Sequence, residues 1–397
     1  MKAIQIKENL YYVGVNDRNK TLFENLWPLP HGVSYNSYLL IDEKTVLFDT
    51  VDICYADIFL QKIEQALGGK TLDYVVINHV EPDHSGAIGL LRTKYPHVQI
   101  IGNARTLDML KGYYGIENGV VTIKDGEALS LGKCQLYFYL IPMVHWPETM
   151  ATYEMTEGIL FSGDAFGTFG TLDGGITDSQ LRPEKYEDEM IRYYSNIVGK
   201  YGNPVQKALA KLANLPISTL CSTHGPVWTE KANIEKVVNL YDRMSRYEAG
   251  GGVVIAYGSM YGHTEQMAEA IAYELAQQGI KDIVLHNVSV AHPSFIIRDI
   301  FKYKGLIIGS PTYNNQLYPP VEYLLSKIEG REIKGRYLGY FGSFTWAGAA
   351  VKRLAAFAQH SGLEIVGIPV EMKQAPNDAV WEGCAALGRA MAEKLRE

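Results

Sequence analysis

The sequence predicts a two-domain α/β protein in which a layered domain of mixed sheets precedes a more regular, parallel α/β domain. Three observations carry this reading. The chain has 397 residues, more than one ordinary domain of roughly 100 to 200 residues requires. Around Ala249 a charged helical stretch, KANIEKVVNLYDRMSRYE, runs into Gly250-Gly251-Gly252 and then into the strand-like VVIAY, the clearest breaker cluster in the sequence. The rhythm of apolar runs also differs on the two sides of that point. Domains of residues 1–249 and 250–397 follow, with the three glycines expected to form a flexible or tightly turned joint.

In the first part the runs NSYLLI, TVLFDT, DYVVIN, VQIIG, QLYFYLI and GILFSGD read as strands, and HSGAIGLLRTKY and ARTLDMLKGYY read as helices. Several of these strands succeed one another without a helix between them, which fits layered mixed sheets better than simple double winding. In the second part VVIAY, DIVLHN, GLIIGS, RYLGYFG and LEIVGIPV alternate with helical stretches, one of which carries Met267, Ile271 and Leu275 at i, i+4 and i+8. That alternation predicts a parallel sheet of five strands.

Composition narrows the function classes. Apolar residues make up 47% and charged residues 20%, an ordinary globular balance that excludes disordered and collagenous chains. No apolar run approaches the roughly 18 residues of a membrane helix, and Lys7 and Glu8 interrupt the N-terminal segment where a signal peptide stays apolar. No membrane partner and a cytoplasmic location are therefore expected. A formal charge of -7 offers no basic field for nucleic acid. Cys54, Cys134, Cys221 and Cys384 lie far apart without a C-x-x-C pair, so no thiolate metal site is expected and most should be reduced core residues.

The most informative hexapeptide is His79-Val80-Glu81-Pro82-Asp83-His84, at the end of the strand DYVVIN. A strand end that breaks at a proline and opens a helix can aim four side chains at one point. Two imidazoles and two carboxylates suit iron or manganese better than zinc when cysteine is lacking. Three further candidates also end apparent strands: His145 in PMVHWPETM, Asp164 in FSGDAFG and His224 in CSTHGPVW. Seven ligand-type side chains, one a carboxylate free to bridge, match two adjacent metals that each keep an open position. A zincin H-E-x-x-H is absent, and Glu81-x-x-His84 occurs once where a ferritin-like bundle needs two such pairs.

In the second domain the strand VVIAY is followed by Ser259-Met260-Tyr261-Gly262-His263-Thr264 and then a helix, which places hydroxyls and backbone N–H groups at a helix N-terminus, where a phosphate fits. Neither a Rossmann nor a P-loop glycine fingerprint is present. Two more loops follow strands: Ser310-Pro311-Thr312-Tyr313-Asn314 and Ser343-Phe344-Thr345-Trp346-Ala347-Gly348. Open α/β sheets bind ligands at those carboxyl ends, and Trp346 is suited to stack on a flat ring.

Together, HxExDH, HWPxTM, the GDAFG aspartate and the THGxxW histidine resemble the diiron domain of the flavodiiron proteins, and the three loops resemble their FMN-binding half. The resemblance implies a metallo-β-lactamase-like αββα sandwich followed by a flavodoxin-like, doubly wound sheet. Zinc hydrolases of the first fold carry H-x-H-x-D-H, and Glu81 in place of the second histidine favours iron. By resemblance, His79, Glu81 and His145 hold one iron, Asp83, His84 and His224 hold the other, and Asp164 bridges them; the counterpart of His84 is displaced in some relatives. Tyr193 and Tyr194 resemble a tyrosine pair near the pocket, one of which donates a hydrogen bond to substrate. Glu24 stands where many relatives have a histidine, which bears on substrate preference. Simple flavodoxins often have threonine where this chain has Tyr261, so phosphate contact there falls to the backbone.

The implied activity is reduction of O2 to water, of NO to N2O, or of both, with FMN supplying two electrons and two ferrous ions one each. The implied partners are a separate electron donor, rubredoxin or a coenzyme F420-linked or other reductase, and a second copy of the chain in a head-to-tail homodimer or dimer of dimers. The competing expectations are a metallo-hydrolase with an accessory flavodoxin domain and a non-catalytic gas sensor or electron carrier. His31, His97, His263, His286, His292 and His360 have no partner pattern in sequence and are expected at the surface or at helix ends, although His263 also falls within the phosphate loop.

Overall fold

The computed structural model describes residues 2–397 and divides into two compact units, one ending at Asp242 and the other running over Arg243–Glu397. The division falls inside the helix Lys231–Ser245, slightly N-terminal of the break read from sequence.

The first unit is built on two sheets. One has seven strands in the order Ile4–Lys7, Leu10–Tyr12, Tyr38–Ile41, Thr45–Phe48, Tyr74–Val76, Gln99–Gly102 and Val120–Thr122. Its first four strands pair antiparallel and the remainder parallel. The other has five strands, Ala128–Ser130, Gln135–Leu140, Met150–Glu154, Ile159–Gly163 and Thr219–Ser222, of which only the last pair is parallel. Alternation along the strands divides the apolar side chains between two cores. Leu40, Val46, Phe48 and Val76 face the second sheet's Leu136, Phe138, Ile159 and Phe161, and Phe48 stacks on Phe161 with ring centroids 3.6 Å apart. Leu39, Leu47 and Val75 point the other way, onto Phe59 and Ile63 of the helix Ala56–Leu67 and Ile88 and Leu91 of the helix Ile88–Lys94. Helix, sheet and sheet thus stack in layers, as the mixed-sheet reading requires.

Lys62 departs from the apolar face of its helix. It is buried, its Nζ donates to the Gly14 carbonyl at 2.5 Å, and burial pulls its pKa down to about 8. The unfolded chain then binds the extra proton between about pH 8 and the ordinary lysine value, so this residue makes stability rise with pH across that window. The urea midpoint of the native protein relative to Lys62→Met should increase from pH 7 to pH 10; a constant difference would show that Lys62 is not held near neutral pH.

The second unit is built on one sheet whose main path runs Ile283–Asn287, Gly250–Tyr257, Tyr303–Tyr313, Tyr337–Phe344 and Glu364–Ile365, parallel throughout with helices between successive strands, while the short strand Gln316–Leu317 pairs antiparallel with Tyr303–Tyr313. Met267, Ile271 and Leu275 are buried in its core with Ile255, Phe341 and Leu387. Two expectations need correction. Gly250–Gly252 do not form a flexible joint but begin a strand, at a register irregularity between Gly250 and Val253; at Gly252 a Cβ would collide with the Tyr303 ring and the Asp282 carbonyl. The fifth strand is split, since Glu364–Ile365 pairs one end of Tyr337–Phe344 and Val370–Lys373 the other. The chain breaks between them at Gly367, which is in the left-handed region at φ 73°. His286 also has a partner that the sequence did not reveal, Asp299, at 2.8 Å.

No described helix is long and apolar enough to cross a membrane. Cys134, Cys221 and Cys384 are buried, Cys54 is exposed, and all four are free thiols.

Candidate metal centre and flavin site

Each of the seven candidate ligands sits just past the carboxyl end of a strand of the first unit or in the turn that follows. His79 lies beyond Tyr74–Val76, Glu81 precedes the short helix Pro82–Ser85, and Asp83 and His84 lie within it. His145 occupies the connection between Gln135–Leu140 and Met150–Glu154, Asp164 directly follows Ile159–Gly163, and His224 follows Thr219–Ser222 with one residue between. Gly225, at φ 84°, lets the chain turn away after His224; a Cβ there would strike the Thr168 methyl.

These side chains form two clusters that share Asp164. Its Oδ2 lies 3.1 Å from His145 Nε2 and 3.7 Å from His79 Nε2; Glu81 Oε2 is 3.1 Å and 3.4 Å from the same two nitrogens. Its Oδ1 lies 3.1 Å from His84 Nε2 and 3.6 Å from His224 Nε2, and Asp83 spans these two imidazoles at 3.5 Å and 3.3 Å. Ligand atoms of His79, Glu81, His84 and Asp164 fall within 4.8 Å of one another, as do those of Asp83, His84 and His224. His84 thus points inward and reaches both groups. All seven side chains are buried.

The electrostatics fit cations. Burial alone would lower the imidazoles, yet Asp164 and Asp83 hold His84 well above the usual histidine value, and Asp164 and Glu81 push His145 up to about 10. Burial likewise opposes ionisation of Asp164 and Glu81, but the surrounding imidazoles hold both far below the usual carboxylate range. Raised imidazoles beside lowered carboxylates mark a site that favours positive charge, which divalent ions would supply. Both oxygens of Asp83, both ring nitrogens of His84 and His224 Nε2 are buried without a hydrogen-bond partner, which is costly in a dry site unless a ligand satisfies them. Four imidazoles and three carboxylates, with no thiolate, match the donor preference of non-haem iron.

Around this set lie residues that sequence reasoning did not single out. Glu148 Oε1 meets His79 Nδ1 at 2.6 Å, the Ser34 carbonyl meets His224 Nδ1 at 2.7 Å, and the Thr223 hydroxyl donates to Asp164 Oδ1. Buried Asp49 accepts from the Asn78 N–H at 2.8 Å and the His79 N–H at 3.3 Å, fixing the turn that carries the hexapeptide. A cleft of about 650 Å³, with Phe23, Glu24, Tyr113, Tyr114 and Trp146 among its walls, opens onto Glu81 and Asp83. Glu24 accepts from Trp27 Nε1 at 2.9 Å, and burial followed by the Glu81 charge pushes its carboxyl up to about 7. Of the tyrosine pair, Tyr193 packs its ring 5.6 Å from that of His224 and buries a hydroxyl with no hydrogen-bond partner, whereas Tyr194 packs edge-on against Tyr241.

In the second unit the loops 259–264, 310–314 and 343–348 all lie at carboxyl ends of strands or run on from them. The fifteen-residue helix His263–Gln277 begins after Gly262, at φ 92°, with no side-chain cap, so its first N–H groups stay available to an anion. Ser259 Oγ accepts the Gly262 N–H at 3.1 Å, and Thr264 bonds Ser343 across 2.8 Å, tying the first loop to the third. Thr312 Oγ1 accepts the N–H groups of Ala349 and Ala350, tying the second loop to the third. Tyr261 and Trp346 are 90% and 86% exposed, an unusual state for such large rings unless a flat ligand covers them. An uncapped helix start and two bare aromatics fit a phosphate-bearing flavin.

Comparison with known proteins agrees with both halves. Residues 33–225 match the family described as ODP family beta lactamase, and residues 255–388 match flavodoxin. The anaerobic nitric oxide reductase flavorubredoxin of Vibrio vulnificus is 33% identical over 98% of this chain and 80% of its own length. Among solved structures, the rubredoxin oxygen:oxidoreductase of Desulfovibrio gigas superposes with a TM-score of 0.95 at 32% identity, covering 100% of this chain and 99% of that one. The flavodiiron protein of Giardia intestinalis gives a TM-score of 0.94 at 25% identity, over 100% and 97% of the two chains. With two clusters of candidate metal ligands, loops suited to a flavin and relatives that match it over nearly its whole length, the chain belongs to the flavodiiron protein family.

Proposed function

We propose that this protein is an oxidoreductase that reduces O2 to water, NO to N2O, or both, at a non-haem diiron centre fed through FMN. The observation that carries the reading is Asp164, whose two oxygens face two separate imidazole and carboxylate clusters, as a carboxylate bridging two ions must. In this reading His79, Glu81 and His145 would hold one iron, Asp83, His84 and His224 the other, and the backbone of Ser259–Thr264 would hold the FMN phosphate, with the exposed rings of Tyr261 and Trp346 available to a flat ligand. The names of the relatives, a nitric oxide reductase and an oxygen oxidoreductase, support the same pair of substrates. When bound, the irons supply gas binding and one electron each, and FMN supplies two.

The chain's own contribution is placement. Thr223 fixes Asp164, Glu148 and Ser34 orient two imidazoles, and Phe23 and Trp146 keep the cleft apolar beside Glu81. Burial, then Asp164 and Glu81, raise Tyr193 well above its usual value, so its hydroxyl, buried without a hydrogen-bond partner, would be available as a donor to substrate oxygen. Tyr193→Phe should lower turnover about tenfold, the worth of one hydrogen bond of roughly 1.4 kcal/mol, with iron content unchanged. Unchanged turnover would assign the hydroxyl to packing alone.

Ligands and flavin loops lie in different compact units, and electron transfer falls steeply with distance. This supports a head-to-tail dimer in which one subunit's FMN serves the other's irons, reduced by a separate donor such as rubredoxin or an F420-linked reductase in the cytoplasm. The hydrolase alternative is disfavoured by Glu81, which stands where zinc enzymes of this fold carry histidine. The first experiment is metal analysis with acid-released flavin, on protein expressed in iron-supplied medium, followed by anaerobic turnover with each gas. Two irons and one FMN per chain with turnover are expected; zinc with little iron, or no flavin, would overturn the reading.

A further inference from the structure

Four imidazoles face the centre, and what lies behind three of them, His79, His84 and His224, differs. His79 Nδ1 is 2.6 Å from Glu148 Oε1, with both side chains fully buried. His224 Nδ1 meets only a backbone carbonyl, that of Ser34, at 2.7 Å, and His84 Nδ1 is buried without a hydrogen-bond partner. Glu148 is itself held in place. The same Oε1 accepts the Val80 N–H at 3.0 Å, and Asn103 Nδ2 donates to the Glu148 carbonyl at 2.5 Å. The Trp146 ring stands edge-on to the His79 imidazole at 5.0 Å, closing one side of it. A carboxylate is a stronger acceptor than a carbonyl, more so in a dry setting. It draws the Nδ1 proton and enriches Nε2, the nitrogen aimed at the metal.

We propose that Glu148 is a positioning residue that makes the two metal positions unequal: the ion held by His79, Glu81 and His145 is bound more tightly than the ion held by Asp83, His84 and His224, and leaves last. This rests on the diiron reading above. Glu148 reaches no substrate, and its effect runs entirely through His79.

The test is stepwise iron removal from the anaerobic, reduced holoenzyme with a ferrous chelator, counting iron per chain, alongside Mössbauer spectra of protein enriched in 57Fe. The native protein should lose its irons in two steps. Glu148→Gln keeps the size of the side chain and an acceptor for Val80 but removes the charge. It should release the second iron at about 10- to 100-fold lower chelator concentration, merging the steps, and should shift one of the two quadrupole doublets while leaving the other in place. Glu148→Asp, which keeps the charge, should retain most of the native separation and serves if the glutamine variant fails to fold. Release of both irons together in the native protein, or a glutamine variant with native release steps or with both doublets shifted equally, would overturn the proposal. A native protein that never carries two irons would instead overturn the diiron reading.

Discussion

Asp164→Asn should lower O2 or NO reduction by at least about a hundredfold, beyond the range in which loss of an outer-shell contact falls, and should leave fewer than two irons per chain. The size of the effect follows from geometry. Oδ2 of Asp164 serves the cluster of His79, Glu81 and His145, and Oδ1 serves that of Asp83, His84 and His224. An amide keeps one oxygen and turns an N–H2 group toward the other cluster, where a donor faces a cation. The Thr223 hydroxyl, which donates to Oδ1, favours keeping the amide oxygen on that side. The position with His79 and His145 should therefore be the one that empties. Iron content by metal analysis and turnover under anaerobic addition of gas give the two readouts, and thermal melting of the flavin-loaded protein checks that the fold persists. A variant that keeps two irons and turns over within threefold of the native protein would remove Asp164 from the bridging position.

Asp164 and the other six candidate ligands are legible in the sequence because each falls where a β-type run stops, and the structure brings the seven side chains together in two clusters that share Asp164. Parallel strands present their carboxyl ends on one edge, so residues distant in sequence converge there without any local signal linking them. The supporting residues were less visible. Glu148 lies inside the same PMVHWPETM segment as His145, yet nothing in its spacing says that it backs His79 rather than solvent. Ser34 acts through a backbone carbonyl, which carries no side-chain signature at all. The strand Met150–Glu154 escaped for a similar reason: all five residues are buried, including Thr152 and Glu154, so the usual alternation of apolar and polar positions is missing. Gly250–Gly252 misled because glycine marks both joints and crowded strands. There the crowding by Tyr303 and Asp282 decides the matter, and only the tertiary structure reveals it.

A mixed dimer built from two separately inactive chains should recover activity, and the amount recovered distinguishes transfer between subunits from transfer within one. Asp164→Asn disables the irons of one chain and leaves its flavin loops intact. Ser259→Glu disables the other chain's flavin, since a carboxylate planted beside the uncapped start of His263–Gln277 occupies the anion site and repels a phosphate. Its metal ligands, in the other compact unit, are untouched. In a twofold head-to-tail dimer each catalytic route joins one chain's FMN to its partner's irons. A dimer of the two variants then keeps one intact route of two, and should turn over at about half the native rate per dimer. If electrons instead passed within a chain, neither route would survive and turnover would stay at the level of the parent variants. Co-expression with two different tags and purification over both isolates the mixed species, and bound flavin at half the native content verifies its composition. Recovery near half is the outcome the dimer requires, because each chain then supplies the part that the other lacks.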